Sequence, residues 1–228
     1  MSLYLLINIA VIFVPLLFSF EKKIKFYKKL PDVFFSMIIT GIPFIIWDAV
    51  AASRGDWNFI PDYTLEYKIA GLPVEEILFF ITVPYAILFL YETYLFYLPK
   101  IKESINYRFL FIPFLLSIIS TVVFFNKYYT FTVFLLVSFL FLLLAITKPR
   151  FVKRKYFPWF LLFTFIPFGI VNYFLTSVPV VTYKTTAILG IRITTIPIED
   201  FFYSFSLVTL YIYFYEFAKE KWKKRIVQ

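Results

Sequence analysis

The chain contains no cysteine and no histidine. The first absence excludes a disulfide, a thiolate nucleophile and an iron–sulfur cluster, and the second removes the commonest metal ligand and general base. Histidine-box di-iron oxidation is thereby excluded, and neither a metal nor a redox cofactor is expected. Charge is scarce too: 16% of the 228 residues are charged while 61% are hydrophobic, and the mean hydropathy is +0.82. So few polar groups could not cover a water-facing surface, and several apolar runs are of spanning length, which points to an integral protein of the lipid bilayer. The 23 Lys and Arg outnumber the 14 Asp and Glu, but they fall in short loops between apolar runs. That placement fits membrane orientation and not nucleic-acid binding.

The sequence predicts an all-α membrane protein with seven transmembrane helices, at about 3–19, 33–52, 73–92, 109–125, 130–147, 157–175 and 197–217. Each is near the ~20 residues that a bilayer requires. The positive charges follow the first run instead of preceding it, and no small-residue cleavage site appears, so it is expected to be a helix of the mature protein. Loops 20–30, 99–108 and 148–156 and the C-terminal tail hold 18 of the 23 Lys and Arg. This imbalance predicts a multi-pass cell-membrane protein with its N-terminus outside and its C-terminus in the cytoplasm.

One pattern organises the chain. Pro73-Val74-Glu75-Glu76-Ile77-Leu78-Phe79-Phe80 recurs 124 residues later as Pro197-Ile198-Glu199-Asp200-Phe201-Phe202-Tyr203-Ser204. The same offset sets Ile42-Pro43-Phe44 on Ile166-Pro167-Phe168, Tyr91-Glu92 on Tyr215-Glu216, and Asp48 on Asn172, without a gap. A collinear set of this kind is the mark of internal duplication. The expected architecture is two parallel three-helix repeats, 1–98 and 127–228, joined by a linker helix in 99–126, a 3+1+3 arrangement. The odd linker helix lets the second copy enter the bilayer in the same sense as the first, with a shared site between copies the natural expectation. Pro43 and Pro167 should kink the second and sixth spans by freeing the carbonyls of Ile39 and Phe163. Loops 53–72 and 176–196 are long, and are expected as lids beside the acids.

Glu75, Glu76, Glu199 and Asp200 fall in first helical turns at the outer interface, and Asp48 and Asn172 end their spans at the same level. One acid in a first turn is ordinarily a complement to the helix dipole, worth ~0.3–1 kcal/mol. Adjacent acids, however, diverge by about 100° around a helix, so one of each pair must face protein. A carboxyl drawn out of water favours its neutral form, which makes this set a source of proton donors or relays. Below the acids, Phe79 and Phe80 share a face with Glu76, and Phe202 and Tyr203 share one with Glu199. Aromatic faces stabilise cations by up to ~2 kcal/mol where water is excluded. Acid above an aromatic floor suits carbocation chemistry on a hydrocarbon. Tyr91-Glu92 and Tyr215-Glu216, at the cytoplasmic ends, read as interfacial anchors with salt bridges to loop lysines.

These residues resemble a family. Trp47-Asp48-Ala49-Val50-Ala51-Ala52-Ser53-Arg54-Gly55-Asp56-Trp57-Asn58-Phe59, Gly71-Leu72-Pro73-Val74-Glu75-Glu76 and Tyr91-Glu92 are similar to the first half of the flavin-independent, membrane-embedded lycopene cyclases. Val171-Asn172, Leu175-Thr176, Pro179-Val180-Val181-Thr182-Tyr183, Gly190-Ile191-Arg192 and the motif from Pro197 to Tyr203 resemble the second half. The resemblance implies cyclisation of the acyclic ends of lycopene to β-rings, through γ-carotene to β-carotene, without net redox change. Glu75, Glu76, Glu199 and Asp200 match the family motif and are the candidates it implies for donor, cation stabiliser and base; Asp48, at their level, is expected as a further catalytic residue, and Asn172, Trp47, Phe79, Phe80, Phe202 and Tyr203 as substrate-binding ones. Which acid is donor, cation stabiliser or base stays open. The absence of a G-x-G-x-x-G motif agrees with a flavin-free enzyme.

The leading alternative is a small-solute transporter of the same 3+1+3 plan. Such proteins line a midplane site with polar groups, whereas the middles of the third and seventh spans offer little beyond Thr82 and Ser206. A retinal-binding protein needs a mid-span lysine, which the seventh span lacks, and the aspartate-rich diphosphate motifs of a prenyltransferase are absent.

Overall fold

The computed structural model describes residues 1–97, 106–154 and 156–226. Lys100, Lys102 and Lys155, used above for orientation, lie outside the described residues, as do the start of the linker segment and the side chains of Lys223, Lys224 and Arg225. Seven α-helices are present among the described residues: α1 (Leu3–Phe18), α2 (Leu30–Arg54), α3 (Val74–Tyr97), α4 (Phe111–Val123), α5 (Tyr128–Thr147), α6 (Phe157–Ser177) and α7 (Ile198–Ile226). Short strands lie between them: β1 (Trp57–Phe59), β2 (Lys68–Ile69), β3 (Leu72–Pro73), β4 (Val181–Tyr183), β5 (Arg192–Ile193) and β6 (Ile196–Pro197).

Every predicted span falls on a helix. Four of them, α2, α3, α5 and α6, are long and apolar enough to cross a bilayer. The helices α1 and α4 are apolar but shorter. The chain leaves α4 at Phe124, so the segment expected to be helical over 109–125 retains 13 α-helical residues. The longest helix, α7 with 29 residues, is less apolar on average because it carries acids in its first turn and a run of lysines towards its end. The protein is thus a predominantly helical, membrane-associated chain. Pro43 and Pro167 lie inside α2 and α6, which continue through them.

The helices sort into two compact units, one of Met1–Ser53, Phe59–Pro99 and Val208–Gln228, the other of Arg54–Asn58 and Lys100–Leu207. In the first unit, the few polar residues of α1 are directed at α3. The Asn8 amide donates to the Tyr4 and Glu75 carbonyls, at 3.1 Å each, and accepts from Thr82 Oγ1 at 2.6 Å. Ser19 Oγ meets Tyr85 OH at 2.6 Å. Apolar surface gives helices little reason to associate in lipid, so such interhelical bonds, worth about 0.6–2 kcal/mol each, fix which faces meet. In the second unit, Ser138 of α5 donates to Ser117 of α4 at 2.8 Å. Phe134 and Phe141 of α5 pack on Phe202 and Phe205 of α7, with ring centroids 5.0 and 5.8 Å apart.

A tight hairpin leads into α3 and another into α7. In the first, Lys68 pairs with Pro73 and Ile69 with Leu72; in the second, Arg192 pairs with Pro197 and Ile193 with Ile196. All four pairs obey the 124-residue offset. The turns place Ala70 at φ 53° and Thr194 at φ 58°, in the left-handed region that side chains disfavour, with Gly71 following at φ 84°. Each hairpin is latched to the helix that follows, Val74 N–H donating to the Tyr67 carbonyl at 3.0 Å and Ile198 N–H to the Ile191 carbonyl at 2.9 Å. Thr194 is β-branched, the least tolerant type for this conformation, so Thr194→Gly should stabilise the protein by roughly 0.5–1 kcal/mol. A thermal-unfolding midpoint in detergent that rises by a few degrees would bear this out; an unchanged or lower midpoint would refute it.

Candidate active site: two buried acid pairs

Both hairpins deliver two adjacent acids to the first turn of a helix, and all four are buried: Glu75 and Glu199 are 0% exposed, Asp200 3% and Glu76 9%. An acid that only complements a helix dipole has no reason to leave water, so burial shifts the reading towards a built site.

The first acid of each pair is held in the same way. Glu75 Oε1 accepts the Leu65 backbone N–H at 2.6 Å and the Ser2 hydroxyl at 2.5 Å. Glu199 Oε1 accepts the Leu189 backbone N–H at 2.6 Å and the Thr130 hydroxyl at 2.6 Å. In each case the amide lies ten residues before the acid, and a hydroxyl comes from the helix packed alongside, α1 or α5. The other oxygen of each, Oε2, is buried without a hydrogen-bond partner.

The second acid of each pair is held by phenols. Tyr4 donates to Glu76, whose carboxyl is also hydrogen-bonded to Asp48 at the end of α2. Two carboxyls can share a hydrogen bond only when one carries a proton. In the second unit Tyr129 donates to Asp200 Oδ1 at 2.6 Å and Tyr183 to Oδ2 at 2.8 Å. The two phenol rings stack at 5.8 Å, the Trp57 ring stands 5.0 Å from that of Tyr129, and Arg192 lies 5.8 Å from the Tyr183 ring centroid. The loop that carries Leu189 is fixed to the start of α5: the Ala187 carbonyl accepts the Tyr129 and Thr130 N–H groups, and Lys127 Nζ donates to the Ile188 carbonyl at 2.7 Å.

Of the sequence candidates, Asp48 joins Glu75 and Glu76 in one buried group. Asn172 gives its amide to the Phe168 carbonyl one turn back in α6, at 3.2 Å. Trp47 stands beside Phe44, with centroids 5.7 Å apart. Phe79 packs between Tyr4 and Phe80, at 6.1 and 6.4 Å, with Phe80 buried. Phe202 lies against Phe134 and is 37% exposed, and Tyr203 is half-buried. The residues not anticipated are Ser2, Tyr4, Tyr129, Thr130 and Tyr183 in this role. Their signal was a polar group inside or beside an otherwise apolar span, which in a membrane protein marks a partner.

Glu92 has another environment. Lys29 and Lys219 both bridge to it, Lys219 at 2.6 Å, and Tyr215 donates at 2.7 Å. Lys219 also lies 3.3 Å from Glu216. This cluster ties the starts and ends of three helices of the first unit together, as expected of an anchor.

The membrane-associated chain thus carries two pairs of buried carboxyls, held by hydroxyls at the ends of apolar helices. A family model, lycopene cyclase, matches residues 1–94 and 126–218. The chain belongs to the lycopene cyclase family, whose members are enzymes of carotenoid biosynthesis. Neither the curated proteins nor the solved structures searched gave a match.

Proposed function

We propose that the protein is a lycopene β-cyclase that closes the acyclic ends of lycopene to β-rings, giving γ-carotene and then β-carotene as an isomerisation. A carboxylic acid protonates the terminal double bond, the neighbouring alkene attacks the tertiary cation to close the ring, and a carboxylate removes a ring proton to set the new double bond. Atoms balance, because the proton gained at one carbon is matched by the proton lost at another. Glu75, Glu76, Glu199 and Asp200 supply donor, cation stabiliser and base, with Asp48 completing the first group. Trp47, Asn172, Phe79, Phe80, Phe202 and Tyr203 contact the substrate. The observation that carries this reading is the pair of buried, hydroxyl-held acid sites in a chain of the lycopene cyclase family. A fixed carboxylate in a dry setting stabilises developing positive charge far better than water-screened groups do. Expression in a lycopene-accumulating host followed by pigment analysis is the direct test; lycopene left unchanged beside membrane-inserted wild-type protein would sink the proposal.

We also infer a seven-span, 3+1+3 topology in the cell membrane with the N-terminus outside. The offset-matched hairpins and the offset-matched amide bonds to Glu75 and Glu199 support it. Because the chain is free of cysteine, single cysteines report topology cleanly. A membrane-impermeant maleimide should label Tyr67→Cys on intact cells and Lys23→Cys only after permeabilisation. The reverse pattern would overturn the orientation.

A further inference from the structure

We propose that the adjacent acids divide the chemistry by position: Glu76 and Asp200 donate the proton that starts cyclisation, while Glu75 and Glu199 are ionised carboxylates whose Oε2 faces the carbocation and removes the ring proton. The assignment rests on the cyclase reading above and deepens it.

The partners of each acid carry the argument. A backbone N–H can only donate, so Oε1 of Glu75 and of Glu199 must be an acceptor. In each unit two donors, a backbone N–H and a hydroxyl, converge on that one oxygen, an arrangement suited to an ionised carboxylate. The negative charge then extends to Oε2, which is buried and has no polar partner in either unit. An anionic oxygen left bare in a dry interior is costly unless a cation is brought to it. A hydrocarbon offers no hydrogen bond, and the tertiary cation formed from it is a counter-charge that needs none. The same oxygen, with lone pairs free, is placed to take the proton that the ring cation must lose.

The second acids have partners that tolerate a proton. Glu76 is bonded to another carboxyl, Asp48, which itself requires one shared proton. Asp200 is bonded to two phenols, and a phenol, unlike a backbone N–H, has lone pairs to accept with, so one of the two bonds reverses when Asp200 carries the proton. The phenols also offer a way to return a proton between turnovers. Ser2 and Thr130 are positioning residues: each supplies one of the two donors to Oε1 and so aims Oε2.

Two measurements test the split. In vibrational spectra of purified protein in lipid at neutral pH, Asp200→Asn should remove a carboxylic-acid C=O band, and Glu199→Gln should leave that band in place. Loss of the acid band in Glu199→Gln would overturn the assignment whatever the substrate. In pigment assays beside a converting wild type, Glu75→Gln and Glu199→Gln should lower ring formation ~10²-fold, with the residual product shifted to rings whose double bond lies elsewhere. Glu76→Gln and Asp200→Asn should leave ring type unchanged in whatever product remains; a shift of ring type in these variants alone would reverse the roles. Thr130→Val, which keeps the carboxylate, should slow turnover ~10-fold and Thr130→Ser should restore it, giving a second reading if a glutamine variant fails to fold. A wild type that leaves lycopene uncyclised would remove the cyclase reading, whereas conversion by the wild type with any reversed pattern removes only the division of roles.

Discussion

A chain carrying both Glu76→Gln and Asp200→Asn should leave lycopene uncyclised in a pigment-accumulating host. The change is small in volume, and each new amide keeps one oxygen to accept a phenol, Tyr4 at position 76 and one of Tyr129 and Tyr183 at position 200, where the amide NH2 can donate to the other phenol oxygen. What it removes is the acidic proton. Loss of a positioned general acid costs about 10²–10⁴-fold, and protonation of an alkene has no easy substitute, because both acids are buried and no histidine exists in the chain. The expected result is conversion below detection with protein amounts in the membrane close to wild type. Each single variant should fall at least ~10²-fold by the same reasoning, by an amount that need not add to the other. Substantial β-carotene from the double variant would remove these two acids from the mechanism.

The second large effect concerns stability and not chemistry. Glu92→Ala should destabilise the protein by about 3 kcal/mol, because it removes the carboxylate on which two lysine ammonium groups and a phenol now converge. Lys219 is the more buried lysine, with a side chain 19% exposed against 29% for Lys29, and it keeps Glu216 at 3.3 Å as a partner. For a chain of this size that is a fall of roughly 6–12 °C in the unfolding midpoint. Activity per folded molecule should be retained. A catalytic Glu92 would show the opposite pattern, full stability with lost turnover, and pigment yield normalised to folded protein separates the two.

The acids were legible in the sequence because the motif that carries them recurs at a fixed spacing in runs that are otherwise apolar. Helix number was legible for the same reason: long apolar runs admit one solution in a bilayer. The hydroxyls were not legible. Ser2 plus the 124-residue offset lands on Asn126, and Tyr4 lands on Tyr128, whereas the bonds in the second unit come from Thr130 and Tyr129. The same hydrogen bond is thus supplied from different sequence positions, which no self-comparison at one offset can detect. Backbone donors are hidden more deeply, since Leu65 and Leu189 contribute through amides and their side chains give no hint. The Asp48 contact, by contrast, followed from placing the end of α2 level with the start of α3. Its counterpart Asn172 turned to its own helix, because an amide can satisfy itself on a carbonyl one turn back where a carboxylate cannot.

The bond from each first acid to an amide ten residues upstream closes a small ring of chain whose circumference is fixed by a hairpin turn inside it. Surface loops ordinarily absorb insertions with little harm. Here the loop acts as a gauge: one residue more or less would slide the amide past its oxygen and leave the acid without its stop. Length within 65–75 and 189–199 should therefore tolerate less change than sequence, and grafting one of these segments onto the other copy should be permitted where a single deletion in either is not.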